Sequence, residues 1–164
     1  MKRIGLLSDT HGFLDEAVFF YFRDCDEIWH AGDFGNKELV AQLKSFKPLR
    51  GVYGNIDGQD IRGIFPETAV FECEEVKVLI RHIGGYPPKY NKETKPLLIR
   101  EQPQLFISGH SHILKIMYDD QLQCLYMNPG AAGKQGWHKV RTLIRFTIHE
   151  KDIKDCEVIE LKER

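Results

Sequence analysis

The first 57 residues alternate between short apolar runs and segments with helical spacing, and this alternation restricts the fold more than any other feature. Strands are predicted over residues 4–7, 27–30 and 49–53, where apolar residues cluster. Between them, apolar residues recur every three or four positions, which predicts helices over residues 14–22 and 36–46, the second capped by Asn36. Strand, helix, strand, helix, strand is typical of a parallel sheet whose strands are joined by crossover helices.

The pattern changes after Gly63. Segments 68–73 and 76–82 alternate around an acidic pair and predict a hairpin. A Gly/Pro-rich loop follows at 84–88, then a helix end at 97–101 and a buried strand at 105–108. Four further strands are predicted, at 113–118, 122–127, 140–148 and 153–161. We therefore expect one α/β domain over residues 1–164, with a mixed second sheet.

Composition restricts the partners that the protein can bind and indicates the cellular compartment in which it functions. The 164 residues are 42% hydrophobic and 29% charged, with a net charge of −1, so no overall field attracts long nucleic acid or an anionic membrane. No apolar run approaches the roughly 20 residues of a membrane span, and the N-terminus lacks the features of a signal peptide. Four cysteines without a C-x-x-C spacing favour reduced thiols in a cytoplasmic protein. They are Cys25, Cys73, Cys124 and Cys156.

Polar side chains follow the predicted strands, at the points where the strands end. Because ligands bind beyond the carboxyl ends of strands in open α/β sheets, these groups can converge although they are distant in sequence. Carboxylates, imidazoles and an amide oxygen together suit two divalent cations, which can clamp both oxygens of a phosphoryl displacement. These residues are Asp9, His11, Asp33, Asn55, Asp57, His82, His110 and His112.

Five segments resemble, in order, the motif set of the calcineurin-like metallophosphoesterases. They are Asp9-Thr10-His11, Gly32-Asp33, Gly54-Asn55-x-Asp57, His82-x-Gly84 and Gly109-His110-Ser111-His112. The overall size and an Asn128-Pro129-Gly130 turn resemble the small single-domain phosphodiesterase branch of that superfamily. The resemblance implies a two-sheet β-sandwich flanked by helices. It further implies one metal held by Asp9, His11 and His112, a second held by Asn55, His82 and His110, and Asp33 as the bridge between them.

The function that we expect is hydrolysis of a small phosphodiester by attack of a metal-bound hydroxide at a binuclear centre. Asp33, Asn55, Asp57 and His110 are the expected catalytic residues. His110 would neutralise charge on the phosphoryl oxygens, and Asp57 would orient a ligand such as His110. Manganese is the expected metal, with nickel, iron, zinc, magnesium and cobalt as alternatives.

Two alternative functions stay open at this point. The same site could serve a phosphomonoesterase or a nuclease, although the weak overall charge argues against long nucleic acid. A non-catalytic scaffold of the same fold is the other alternative, since the retromer complex contains such a subunit with a degraded site. Here all seven ligand positions are filled by competent residues, which favours an enzyme. The sequence leaves the oligomeric state open, a homo-oligomer included.

The chain departs from the family pattern in two places. Ile56 stands where many larger members carry a histidine assigned to the leaving group, and Ala131 replaces a serine after the Asn-Pro-Gly turn. His138, in the Trp137-His138-Lys139 cluster, is a candidate to approach the substrate in place of that histidine. His30 lies near a strand end but has no ligand role in the pattern, so we expect it to be structural.

Overall fold

The computed structural model describes residues 1–163. Within that range the strands are β1 Lys2–Leu7, β2 Glu27–His30, β3 Leu49–Gly51, β4 Thr68–Cys73, β5 Val76–Arg81, β6 Gly85–Tyr86, β7 Lys89–Tyr90, β8 Leu105–Ile107, β9 Lys115–Asp119, β10 Cys124–Asn128, β11 Val140–His149 and β12 Asp152–Glu163. The helices are α1 Ala17–Tyr21, α2 Lys37–Phe46, α3 Gln59–Arg62 and α4 Thr94–Glu101.

Two mixed sheets of five strands each form the centre of the fold. In the first, the order is β12-β11-β1-β2-β3, with β1, β2 and β3 parallel and β11 and β12 antiparallel to their neighbours. In the second, the order is β4-β5-β8-β10-β9, with β5, β8 and β10 parallel and the two edge strands antiparallel. The expected α/β sandwich of two sheets flanked by helices is therefore confirmed.

The alternation of side chains along each strand produces the layers. Alternate residues of β1 and β5, such as Ile4 and Val78, point between the sheets and form the main core. Leu7 points to the other face of the first sheet, where it packs with residues of α1, α2 and α3. On the outer face of the second sheet, Phe106 packs with Leu98 of α4. Helices thus cover both outer faces of the sandwich.

The sequence placed the larger elements well and the small ones less well. Asn36 caps α2 as expected, because its Oδ1 accepts a hydrogen bond from the N–H of Leu39 at 2.9 Å. The first helix is shorter than the predicted 14–22, since the Asp15 carboxylate accepts from the N–H of Ala17 and the helix begins only there. Helix α3 and the β6–β7 hairpin were not predicted, whereas α4 ends at Glu101, in agreement with the helix end predicted at 97–101.

The topology places the ends of the parallel strands at one edge of the sandwich. Strands β1 and β2 of the first sheet and β5 and β8 of the second lead directly into the polar segments singled out from the sequence. In residues 1–163, no helix combines the length and the apolar character that crossing a membrane requires. The functional site is therefore sought among the loops at that edge.

Candidate metal centre

Seven of the eight polar residues at the strand ends converge on one site. Asp9 and His11 follow β1, Asp33 follows β2, His82 follows β5, and the β8–β9 loop supplies two histidines. Asn55 enters from the segment between β3 and α3. The side chains brought together are those of Asp9, His11, Asp33, Asn55, His82, His110 and His112.

Asp33 lies between two of the histidines. Its Oδ2 is 3.3 Å from Nε2 of His11 and 3.2 Å from Nε2 of His82. The Oδ1 of the same carboxylate accepts a hydrogen bond from the backbone N–H of Ile56 at 3.1 Å. One carboxylate oxygen is thus fixed by the protein, and the other faces two imidazole nitrogens that come from different strands.

The two carboxylate oxygens of Asp9 also have different surroundings. Oδ2 accepts hydrogen bonds from Ser8 Oγ at 2.6 Å and from the backbone N–H of His110 at 3.1 Å. Oδ1 lies 3.2 Å from Nε2 of His112 and 3.7 Å from Nε2 of His11. Ser8 was not singled out from the sequence, although its position directly before Asp9 could have indicated it.

His82 has one ring nitrogen that faces only oxygen atoms. Its Nδ1 is 2.7 Å from the carbonyl oxygen of Ala31, and because a carbonyl only accepts, Nδ1 must carry the proton. In the neutral ring Nε2 is then a bare lone pair, yet it faces Asn55 Oδ1 at 3.1 Å, Asp33 Oδ2 at 3.2 Å and Asp9 Oδ1 at 3.8 Å. Lone pairs directed at one another are stabilised only when a proton or a metal cation lies between them.

The residues present therefore fit a metal. Asp9 Oδ1 and His11 Nε2 are buried side-chain atoms without a hydrogen-bond partner among the described residues, which folded proteins rarely tolerate. Two groups have ligand atoms within 4.8 Å of one another. They are Asp9, His11 and His112, and Asp9, Asp33 and His82. Asn55 Oδ1 stands beside the second group, 3.1 Å from both His82 Nε2 and His110 Nδ1.

The charges of the site perturb one another strongly. Burial raises the pKa of Asp9, but the imidazoles of His11 and His112 outweigh burial and hold the pKa well below its usual range. Burial likewise raises the pKa of Asp33, and the imidazoles of His11 and His82 bring the net pKa well below normal. In return, Asp33 and Asp9 raise the pKa of His11 to about 9. The two carboxylates thus stay negative and attract whatever cation is available.

The backbone is strained at the same residues. Asp9, His11, Asp33, His110 and His112 all have positive φ, between 46° and 71°. Residues other than glycine seldom adopt this region, and such strain is concentrated at functional sites. Two glycines permit close packing of the loops, since a Cβ at Gly54 would collide with the Asp33 carboxylate and one at Gly109 with Ser8 and Asp9.

Asp57 is the eighth residue, and its role differs from the expectation. We expected it to orient a ligand such as His110. Instead its carboxylate accepts from four backbone N–H groups, which belong to Asp33, Phe34, Gly35 and Gly54, at 2.8–3.2 Å. Asp57 therefore holds the Asp33 loop against the Asn55 segment and acts through Asp33 and not through His110.

Asn128 has a similar role on the opposite side of the site. Its Nδ2 donates to the carbonyl of Gly109 at 3.0 Å and to Ser111 Oγ at 3.2 Å, while Oδ1 accepts from the N–H of Gly130 at 2.9 Å. The Asn-Pro-Gly turn thus fixes the loop that carries His110 and His112. Ala131, where the family has a serine, is fully buried behind this turn.

His30 and His138 lie just outside the cluster. His30 is buried, stacks on Phe34 at 3.7 Å, and has both ring nitrogens bonded, to Thr10 Oγ1 and to the N–H of Gly32, each at 3.0 Å. His138 contacts the ring of His112 edge to face, and its Nε2 donates to the carbonyl of Gly133 at 2.7 Å. His138 is therefore near the metal ligands, with one nitrogen committed to the backbone.

Two further side chains near the site, Ile56 and Arg62, are not among the site residues predicted from the sequence. Ile56 is 45% exposed beside Asn55, so it adds no polar group at the position of the missing histidine. Arg62, at the end of α3, donates from Nε to the carbonyl of Asp57 at 2.7 Å. Nothing in the sequence distinguished this arginine from other surface cations, because only the short helix α3 brings it back to Asn55.

Comparison with solved structures shows the same fold. A structure described as a novel archaeal phosphodiesterase has a TM-score of 0.78 at 21% identity, covering 97% of this chain and 99% of that one. Wild-type Vps29 from Entamoeba histolytica, complexed with Zn²⁺, has a TM-score of 0.73 at 16% identity, covering 96% and 98%. At these identities the likeness concerns the fold alone.

Comparison of sequences shows the family. Residues 1–151 match the calcineurin-like phosphoesterase superfamily domain. A probable metallophosphoesterase of Methanothermobacter thermautotrophicus is 33% identical over 134 residues, which cover 78% of this chain and 76% of the relative. A second, from Methanocaldococcus jannaschii, is also 33% identical over 134 residues and is covered to 67%. The chain therefore belongs to the calcineurin-like phosphoesterase superfamily, a family of metal-dependent phosphoesterases.

Proposed function

We propose that the protein is a phosphodiesterase that holds two divalent cations at this metal centre. The observation that supports this most directly is the position of Asp33, whose Oδ2 lies 3.3 Å from His11 and 3.2 Å from His82. Those two imidazoles belong to different candidate ligand groups. A carboxylate placed between two ligand groups is suited to bridge two ions.

The residues of the chain divide the work as follows. Asp9, His11 and His112 would hold one ion, Asn55, His82 and His110 the other, and Asp33 would bridge them. When bound, such cations provide a nucleophile from water at neutral pH and offset the charge of the phosphoryl oxygens. His110 is exposed at the solvent side of the site and would contact the phosphate, while Asp57 keeps the Asp33 loop in place.

A phosphodiester suits the space beside the metal centre. A cavity of about 380 Å³ adjoins Asn55 and His82 and is walled by polar and aromatic side chains, among them Tyr53 and Arg81. A diester carries a second organic group that must lie next to the reacting phosphorus. The cavity offers room for that group beside Asn55 and His82.

The ligand set also bears on the metal and the compartment. Imidazole, carboxylate and amide donors without thiolate suit manganese, and also iron, nickel, cobalt, zinc or magnesium. We propose manganese as the ion. Cys25, Cys73 and Cys124 are buried free thiols and Cys156 is an exposed one, which agrees with a reducing, cytoplasmic location.

The test is a hydrolysis panel with metal counting. The chelated protein would be reloaded with each metal, the bound ions counted by elemental analysis, and turnover measured on bis(4-nitrophenyl) phosphate and on 4-nitrophenyl phosphate. We expect two ions per chain and faster turnover of the diester. Saturation at one ion would contradict the binuclear centre, and faster turnover of the monoester would contradict the diester preference.

The scaffold alternative gives a different result in the same panel. Metal binding by itself does not show catalysis, so hydrolysis decides between the enzyme and the scaffold. Two bound ions without hydrolysis of either ester, at levels equal to the Asp33→Asn variant, would favour the scaffold. Turnover that depends on Asp33 and is unaffected by Asp120→Asn, in an exposed turn, would favour the enzyme.

A further inference from the structure

The cavity beside the metal centre contains two arginines in different electrostatic states. Arg81 forms ion pairs with Glu67 at 2.9 Å and Glu93 at 3.2 Å, so carboxylates of the cavity wall neutralise its charge. Arg62 forms no ion pair with a carboxylate in residues 1–163. The two arginines and two glutamates of the cavity wall balance in charge, and Arg62 is the arginine that has no carboxylate partner among the described residues.

Arg62 is held in place although it is exposed. Its Nε donates to the carbonyl of Asp57 at 2.7 Å and its Nη2 lies 3.4 Å from the carbonyl of Asn55. Its guanidinium carbon sits 4.5 Å above the ring of Tyr53, where a cation is attracted to the π-face. These three contacts fix the plane of the guanidinium beside the candidate metal ligand Asn55 without using all of its donors.

An arginine has five N–H donors in a fixed fork, and Arg62 uses only two of them in these bonds. The remaining donors are the kind that bind phosphate oxygens in pairs. We propose that Arg62 is a substrate-binding residue, which donates to an oxygen of the phosphoester while the metal centre holds the phosphorus. This inference rests on the proposed function, because it presumes that a phosphate is bound at the metal centre.

The position of Arg62 also fits the presence of Ile56 where many larger members of the family carry a histidine. The side chain of Ile56 neither donates a hydrogen bond nor carries charge. Another residue on this side of the site must therefore stabilise the negative charge of the phosphoester. Arg62 approaches the same backbone, at Asn55 and Asp57, from the following helix. It can stabilise negative charge and orient the ester.

The first test measures binding and does not depend on turnover. Inorganic phosphate would be titrated calorimetrically into the metal-loaded protein. We expect Arg62→Ala to weaken phosphate binding about tenfold, as loss of a hydrogen bond to a charged group does, with the same number of bound metal ions. Arg62→Lys should recover part of the affinity because it keeps the charge and loses the fork. The control is Arg100→Ala, an exposed arginine of α4, which should bind phosphate like the wild type.

The second test uses the same variants on bis(4-nitrophenyl) phosphate. A rise in KM in Arg62→Ala with little change in kcat would support a binding role, and equal falls in kcat and kcat/KM would support a contact made only in the transition state. Unchanged phosphate affinity and unchanged KM would overturn the inference even if the protein is an active phosphodiesterase. Loss of metal ions in both Arg62→Ala and Arg62→Gln would also overturn it, by making Arg62 a residue that positions the Asn55 loop. If no ester is hydrolysed but phosphate binding still depends on Arg62, the proposed function fails and the phosphate contact stands.

Discussion

Two polar clusters lie side by side at the same edge of the sandwich, and they differ in how their polar atoms are satisfied. The first, which we call the closed cluster, consists of His30, Thr10 and the loop of Gly32. There each histidine nitrogen has a protein partner at 3.0 Å, and Thr10 Oγ1 also bonds the carbonyl of Phe34 at 2.9 Å. The second, the open cluster, contains His82, Asp9 and Asp33. There His82 Nε2 faces the two carboxylates at 3.2 and 3.8 Å, and Asp9 Oδ1 has no hydrogen-bond partner among the described residues.

The difference separates a structural histidine from a ligand histidine. His30, at the end of β2 in the first sheet, and His82, directly after β5 in the second, are both nearly fully buried, and burial lowers the pKa of both. In the closed cluster burial prevails, and the pKa of His30 falls to about 3. In the open cluster the carboxylates of Asp33 and Asp9 together outweigh burial, and the pKa of His82 is raised. Both histidines are buried, so burial does not decide which of them can bind a cation. The surroundings of Nε2 decide it, because Nε2 of His30 is bonded to Thr10 Oγ1 whereas Nε2 of His82 faces two carboxylates.

The largest expected effect comes from removing the central charge of the open cluster. Asp33→Asn keeps the shape of the side chain and the bond from Ile56, but an amide carries no charge to offset the two cations that we propose. We expect hydrolysis to fall by more than the about 10- to 100-fold typical of residues that only support a ligand. The measurement is turnover of bis(4-nitrophenyl) phosphate, with circular dichroism to show that the variant is folded. Near-normal turnover in Asp33→Asn would rule out Asp33 as the bridge.

A smaller loss is expected where the support of the open cluster is weakened. Asp57→Asn replaces an acceptor of four backbone N–H groups by an amide with a single acceptor oxygen. We expect a loss of activity of about 10- to 100-fold, together with a loss of stability, because the Asp33 loop is no longer fixed. Kinetics and urea unfolding would be measured together. Asp60→Asn, an exposed aspartate three residues away, is the control, and an equal loss there would show that the effect is not specific to the loop.

The closed cluster should respond in stability and much less in metal binding. His30→Ala leaves the N–H of Gly32 and the Thr10 hydroxyl short of a partner, at about 1–3 kcal/mol for each buried group left unsatisfied. The free energy of unfolding should therefore fall, while the folded variant still binds the same number of ions. Urea titration and elemental analysis give the two values, with the exposed His149→Ala as the control. A lost metal ion would show that the two clusters are not separate.

The strand-ending polar residues were predictable because period-two and helical spacings locate the ends of parallel strands, and the carboxyl ends of such strands lie on one edge. The family pattern, and not the position at a strand end, separated His30 from His82, and the structure shows a protein partner on each ring nitrogen of His30. The partner of Asp57 was predicted wrongly. Its carboxylate accepts from four backbone N–H groups, and a sequence does not indicate where backbone N–H groups will point. Arg62 was missed for a related reason, because the helix that carries it has only four residues and no apolar period.

The test with the smallest expected effect varies the pH. In the metal-free protein, the two clusters should change the free energy of unfolding with pH in opposite directions. His30 has a folded pKa of about 3, below the roughly 6.5 of a free histidine, so the unfolded chain takes up the proton first and stability falls as pH drops from about 6.5 towards 3. His11 has a folded pKa of about 9, so its contribution is present below about pH 6.5 and is lost as pH rises towards 9. Urea unfolding of chelated wild type, His30→Gln and His11→Gln between pH 5 and pH 9 would measure both slopes. We expect His30→Gln to lose less stability on acidification than the wild type, and His11→Gln to lose less on alkalinisation. Slopes of the same sign in the two variants would mean that the open and closed clusters share one electrostatic environment, and the comparison would then fail.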